Sequence, residues 1–272
     1  MSRPALFAEL CAGTAALSLR LEGGRYARPP VSRMGAKTGY GKVILHIMGL
    51  AAGDGAEHYL WCEPDDGCRL LLEAYRDRQL ALKAAAIIRG WADEDPRTLW
   101  DRLRAEGPVA DVTPREVARW AICSRWCVRV GQISSGYSGP DIWSQPTAAG
   151  IGRAMGIVPT LPGTIHPDAR QVGPPSPPGR VVAYIDPPYQ DTTGYGHDLT
   201  RAEVVALAMR WADVGADVYI SEAEPIDLPG WHHVDITGHR RGQKRTFSKQ
   251  QREWLTCSAR PHWTPPTQVS MW

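Results

Sequence analysis

Residues 181–196 read VVAYIDPPYQDTTGYG. Five residues of strand character, Val181 to Ile185, run into an aspartate, two prolines and a tyrosine. A continuous apolar run that stops at an acid is the pattern of a buried parallel strand whose carboxyl end meets a ligand crevice. Pro187 and Pro188 remove two backbone donors and fix φ, so a carbonyl there is left to accept. Together with Asp186 the turn offers a carboxylate and a carbonyl as adjacent acceptors, with the Tyr189 ring beside them. That set suits an exocyclic amino group on a flat ring, the acceptors taking its two hydrogens while the ring stacks on Tyr189. The alternative is a plain proline-bounded loop with a capping Asp, since short motifs also arise by chance.

Outward from this stretch, strands and helices alternate. Residues 5–24, ALFAELCAGTAALSLRLEGG, open as a strand, turn at Ala12–Gly13 and continue as a helix, with Thr14 the expected N-cap and Gly23–Gly24 the stop. HYLWCEPDD, residues 58–66, is a second strand ending in acids, followed by a helix over GCRLLLEAYRDRQLA, residues 67–81. Residues 83–130 read as mostly helical and rich in Arg and Trp, whereas 131–156 are Gly-, Ser- and Pro-rich and expected to be irregular. A short strand and a stiff proline linker fill 163–180, and Thr200 with Glu203 forms a capping box for a helix over 200–213. ADVYISEAE (216–224), WHHVDIT (231–237) and REWLTCSA (252–259) are three more strands. The pattern predicts a doubly wound α/β sheet with ligand binding at the strand ends. Residues 1–80 and 157–272 would form this sheet domain, with 81–156 as a mostly helical insertion.

Composition bounds the function. The chain has 272 residues, 43% hydrophobic and 22% charged, with a net charge of only +2, so affinity for a polyanion must come from local clustering. The N-terminal residues lack a signal-peptide pattern, and no apolar run reaches membrane-spanning length, so a cytoplasmic protein without a membrane partner is expected. The six cysteines are scattered, which argues against a disulfide framework. Cys123 and Cys127 sit four apart in a helical pattern, but no second Cys/His pair follows at zinc-finger spacing, so core packing is expected and no metal. Oligomeric state is not legible.

The turn at Gly13 would let a ligand approach backbone N–H groups at a helix start. AELCAGTAA is not GxGxxG, which argues against a nicotinamide dehydrogenase. Glu63 and Asp65, at the end of the second strand, stand where a ribose hydroxyl pair is often held in this architecture; a solvated strand end is the alternative.

The intact Asp186-Pro187-Pro188-Tyr189 segment resembles the catalytic motif of DNA amino-methyltransferases that use S-adenosylmethionine, especially the Dam-like adenine-N6 subgroup. FAELCAGTAALSL is similar to that family's cofactor turn, with Glu9 and Gly13 at matching positions. VSRMGAKTGYGKVIL is similar to its GGK loop through Gly35 and Lys37, although in the family that loop precedes the cofactor turn and here it follows. The cofactor turn has one glycine where the family often has three. Asp168 in IHPDAR, VYISEAE and REWLTCS also stand at places the family uses, and the similarity spans most of the chain outside residues 80–160.

The resemblance implies a methyltransferase (Rossmann-like) sheet and S-adenosylmethionine as cofactor, bound by Glu9, Leu10, Cys11, Ala12, Gly13, Gly35, Lys37, Glu63, Asp65 and Asp168. It implies a catalytic Asp186, Pro187, Pro188 and Tyr189 acting on the adenine N6 amino group of DNA, in a restriction-modification, orphan or phage setting within a bacterial cell. A base inside a duplex must be flipped out to be reached, and Tyr195 or His197 on the following loop would cover its pocket, unless that loop is ordinary polar surface. Residues 239–252, HRRGQKRTFSKQQR, hold Arg240, Arg241, Lys244, Arg245, Lys249 and Arg252 without an acid, a candidate for phosphate contact as much as a solvated loop. Arg115, Arg119, Arg125 and Arg129 make a second basic region, largely offset by acids, in the insertion that is the candidate for target recognition. Trp120 and Trp126 are expected in the core. Rival readings are cytosine N4 or RNA adenine as target, and a non-catalytic nucleic-acid-binding module. Asp186 argues against protein glutamine methyltransferases, which carry Asn at that position.

Overall fold

The computed structural model describes residues 3–24, 27–31, 37–108, 111–128, 133–143, 145–175, 179–189, 199–240 and 252–264. In chain order the elements are β1 (Leu6–Glu9), α1 (Ala16–Gly23), α2 (Gly41–Ile47), β2 (His58–Cys62), α3 (Asp66–Arg76), α4 (Arg78–Gly90), α5 (Pro96–Arg104), α6 (Pro114–Arg125), α7 (Pro140–Trp143), α8 (Ala148–Gly156), β3 (Gly163–His166), β4 (Val181–Ile185), α9 (Arg201–Ala212), β5 (Asp217–Glu222), β6 (His232–Asp235) and β7 (Trp254–Cys257). The seven strands form one sheet in the order β3-β2-β1-β4-β5-β7-β6. β1 to β5 are parallel, and β7 inserts antiparallel between β5 and β6. This is the doubly wound, Rossmann-like sheet expected from the sequence, with an antiparallel strand added near one edge.

Alternation along each strand divides the apolar residues between two cores. Phe7, Tyr59, Trp61, Val182, Tyr184 and Tyr219 face one side, where helices α1 to α6 and α8 pack. Leu6, Ala8, Leu60, Cys62, Ala183, Ile185 and Ile220 face the other, covered by α9 through Val204, Leu207, Ala208 and Trp211. Burial of β4 on both faces explains why its sequence is apolar without a break.

Local signals set most helix ends. Thr200 and Glu203 form the reciprocal capping box of α9. Two helices, rather than one, cover residues 67–81: the chain breaks at Asp77, whose carboxylate accepts from Gln79 N and Leu80 N and so starts α4. Thr14 is not the N-cap of α1. That position belongs to Ala15, in a left-handed conformation at φ 48°, while the buried Thr14 hydroxyl has no partner. Residues 148–156, expected to be irregular, form α8 behind the N-cap Thr147. There the small residues serve close approach: a Cβ on Gly152 would sit 3.0 Å from the Ala85 carbonyl of α4. Residues 81–156 thus hold most of α4 and all of α5 to α8. Trp100, Trp120 and Trp126 of this region are buried in the same core as β1 and β2. Among the described residues no helix is long and apolar enough to cross a membrane.

Candidate active site at the carboxyl ends of β1 and β4

From β1 the chain winds outward through β2 and β3, then returns to place β4 on the other side of β1. The switch point therefore lies between β1 and β4, where such sheets open a crevice beyond the strand ends. Register makes the two following turns neighbours. Glu9 pairs with Tyr184, and Leu10 N donates to the Tyr184 carbonyl at 2.8 Å. The turn after β1 and the Asp186–Tyr189 turn thus lie side by side, although the sequence places them far apart.

The first turn is fastened from β2. Ala12 N donates to the Cys62 carbonyl at 2.9 Å. Gly13, at φ 52°, donates its N–H to Glu63 Oε2 at 2.6 Å. A Cβ there would meet nothing within 4 Å, so glycine serves the left-handed backbone and leaves the turn open above. Glu63 is itself buried, and its Oε1 accepts from Asp65 N at 3.0 Å. Asp65 caps α3 by accepting from Cys68 N at 2.8 Å. Glu9 turns down into the fold: its Oε1 accepts from Ser18 N at 2.8 Å and Ser18 Oγ at 2.5 Å. Burial pushes the Glu9 carboxyl up to about 7 against these bonds. Leu10 and Ala12 are buried and Cys11 is half-buried. Asp168, beyond β3, accepts from Arg170 N and Nε, each at 2.9 Å, and is held below the usual carboxylate range by that bond. Of the residues expected around a cofactor, Gly13, Glu63 and Asp65 are therefore brought into one hydrogen-bonded rim, while Glu9 is bonded to Ser18 beneath it.

Around Asp186 the structure adds what the motif does not contain. Lys37, 6% exposed, opens a short 3-10 turn ahead of α2. Its Nζ lies 2.7 Å from Asp186 Oδ1 and 3.4 Å from Glu253 Oε1. It also donates to the Tyr189 hydroxyl oxygen at 2.7 Å and stands 4.6 Å from that ring's centroid. The Tyr189 hydroxyl in turn donates to Glu253 Oε1 at 2.5 Å. Pro187 is buried and Pro188 half-buried, which keeps the turn in place. Burial pushes Asp186 up to about 6, the Lys37 ammonium opposes this, and the Glu253 carboxylate adds to it. Burial and these acids also push the Tyr189 phenol far up, so it stays protonated and donates. Glu222, the last residue of β5, is 4% exposed and pushed up to about 7 by burial, with the Arg201 guanidinium opposing. Glu253 and Glu222 escape a sequence reading. The one signal available was an acid at an end of each buried strand segment, REWL and VYISE.

Gly35, Tyr195, His197, Arg241, Lys244, Arg245 and Lys249 lie outside the described residues. Arg240 and Arg252, on either side of that segment, are exposed. The second basic region is largely spent within the fold. Arg119 is 3% exposed and donates to Glu116 and to the Leu103, Gly107 and Pro108 carbonyls, tying α6 to α5. Arg115 pairs with Glu106. Arg119 is accordingly no candidate for a nucleic-acid contact, because a buried guanidinium with all its donors engaged cannot reach a phosphate. Arg129 lies outside the described residues. Cys123 and Cys127 are buried, the latter donating to the Ser124 carbonyl. Among the described residues no group of three or more metal-ligating side chains is assembled.

The fold and site together define a doubly wound α/β protein with an acceptor cluster at its switch point. No family profile matches the sequence, and no curated protein does. Among solved structures, the rRNA methyltransferase aviRa from Streptomyces viridochromogenes is similar over 94% of this chain and 77% of its own length, at 14% identity and a TM-score of 0.34. At that distance the residues of the site have to carry the function.

Proposed function

We propose that this protein transfers a methyl group from S-adenosylmethionine to the N6 amino group of adenine in DNA. The observation that carries the reading is the Asp186-Pro187-Pro188-Tyr189 turn set beside the Gly13 turn across the switch point. A donor and an acceptor substrate held in adjoining turns meet without a further translational cost.

The residues of the first turn fit a nucleoside-containing cofactor. The Thr14 hydroxyl is buried without a partner. The Gly13 backbone has open space above it, and Glu63, Asp65 and Asp168 stand at the ends of the strands where ribose and base would lie. Bound there, S-adenosylmethionine would supply an electrophilic sulfonium methyl group.

The protein's own residues do the rest. The adenine amino nitrogen is a poor nucleophile because its lone pair is shared with the ring. Bonds from its two hydrogens to the Asp186 carboxylate and the Pro187 carbonyl draw it towards sp³ geometry and direct the lone pair out of the ring plane. Positive charge then develops on nitrogen directly in front of these acceptors, where it is stabilised most. The product ammonium is acidic, so one N6 proton leaves through Asp186 to solvent. Tyr189 replaces the stacking that the flipped base gives up. Exposed Arg240 and Arg252 would meet the phosphate backbone, and residues 81–156 would carry target recognition.

The test is transfer of labelled methyl groups from S-adenosylmethionine to unmethylated DNA, followed by nucleoside digestion and mass identification. N6-methyladenine is the expected product. N4-methylcytosine would change the target while keeping the chemistry. Methylated RNA with unmodified DNA would overturn the DNA assignment, and no transfer to either nucleic acid by a folded, cofactor-binding protein would overturn the enzyme.

A further inference from the structure

The geometry points to Glu253 as the positioning residue of this site: through Lys37 and Tyr189 it holds the two side chains that flank Asp186, and it keeps Asp186 from being fully neutralised. The inference rests on the reading of Asp186 as the acceptor for a substrate amine.

Glu253 is held from both sides. It is 3% exposed and immediately precedes β7. Its N–H donates to Thr237 Oγ1 at 2.9 Å, and its carbonyl accepts from Ile236 N at 2.9 Å. With its backbone bonded to the end of β6, the carboxylate has little freedom. Its Oε1 receives the Tyr189 hydroxyl at 2.5 Å and faces Lys37 Nζ at 3.4 Å. The Tyr189 oxygen thus accepts from Lys37 while its hydrogen goes to Glu253, and this fixes the ring beside the Asp-Pro-Pro turn.

Charge counting gives the second role. Among the described residues one ammonium, Lys37, lies between two carboxylates, Asp186 and Glu253. In a buried site a single countercharge cannot satisfy both. Without the charge of Glu253, Lys37 would pair more strongly with Asp186 and weaken it as an acceptor; with it, part of the ammonium's attraction is drawn away. Among the described residues, the other groups that act on Asp186 or are acted on by it are Glu222 from β5, Glu9 and Cys11 from β1 and its turn, and Tyr184 and Tyr189 on its own segment. The Arg201 guanidinium acts on Glu222. Lys37 and Glu253 are the pair whose removal should move Asp186 in opposite directions.

The experiment follows the Asp186 carboxyl by carbon-13 NMR titration of the substrate-free protein, the resonance being assigned by its loss in Asp186→Asn. Glu253→Gln retains volume and an acceptor for Tyr189 but removes the charge. The expected result is a lower Asp186 midpoint in Glu253→Gln and a higher one in Lys37→Met. In methyl transfer, the acid limb of the pH–rate profile should move with each midpoint. The Glu253→Gln plateau kcat should fall roughly tenfold to a hundredfold, while cofactor affinity stays within about twofold. A folded Glu253→Gln protein whose Asp186 midpoint stays or rises overturns the inference. If that variant does not fold, an unmoved midpoint in Lys37→Met overturns it. The titration needs no substrate, so midpoints that move as stated in a protein that methylates no nucleic acid would uphold the charge-setting role of Glu253 and defeat the proposed reaction.

Discussion

Two carboxylates at the strand ends, half-buried Asp186 and buried Glu9, carry opposite kinds of information. Asp186 pairs with Lys37, which also faces Glu253, and its chemistry depends on both. Asp186→Ala is expected to reduce methyl transfer below detection while cofactor affinity changes by no more than about threefold, as read by calorimetric binding of S-adenosylmethionine beside a radiolabel assay. Loss of binding together with the fold would assign Asp186 to structure. Glu9 is surrounded by hydrogen bonds, with no cation among the described residues acting on it, and burial holds its carboxyl up at about 7. A carboxyl whose folded value lies above its unfolded value binds more protons when folded, so stability falls as pH rises between the two. Below about pH 4.5 the penalty is absent, and above about pH 7 it is fully present. Glu9→Gln keeps an acceptor for Ser18 and should raise Tm by on the order of 5 °C at pH 8 while leaving it nearly unchanged at pH 4. Scanning calorimetry at the two pH values checks both halves. The identity of the acceptor turn was legible at this scale, because prolines act on their own backbone. The identity of its countercharge was not, because Lys37 reads in sequence as one more basic residue of a loop.

At the scale of elements, close packing rather than propensity decides the helical layer. Gly67, in the first turn of α3, lies under the Trp120 ring of α6: a Cβ there would stand 1.6 Å from Trp120 Nε1. Trp120 is 4% exposed and cannot swing away. Gly67→Ala should therefore cost about 3 kcal/mol in urea unfolding. Gly90→Ala, at the end of α4 with nothing within 4 Å of the new methyl, should instead be neutral or raise stability by a few tenths of a kcal/mol. Equal effects at the two positions would contradict this packing. Helix α9 was readable in advance because its capping box is a four-residue code. Helix α8 was not: its Gly-rich sequence suggests a loop, and the helix exists because small residues let it lie against α4.

For the molecule as a whole, a net charge of +2 supplies no general attraction for a polyanion. The nucleic-acid affinity proposed above would have to come from a local cluster, and exposed Arg240 and Arg252 flank the basic segment in sequence. Replacing either with Ala should weaken DNA binding and reduce the slope of log affinity against log salt by about one. Arg115→Ala, at a residue already paired with Glu106, should leave the slope unchanged. Fluorescence anisotropy over a salt series separates these outcomes.

By itself the sequence determined what is local in this protein: an alternation of apolar strands and capped helices, and a turn whose two prolines hold a carboxylate, a carbonyl and an aromatic ring together. Only the tertiary structure decided what surrounds that turn. The strand order sets the carboxyl ends of β4 and β5 beside the start of β7, which brings Glu222 and Glu253 to the same end of the sheet as Asp186, and the turn ahead of α2 sets Lys37 against Asp186. The physical reason is burial. With Asp186 largely withdrawn from water, its charge needs a countercharge that its sequence neighbours cannot provide, and the fold supplies it through Lys37 from the turn ahead of α2.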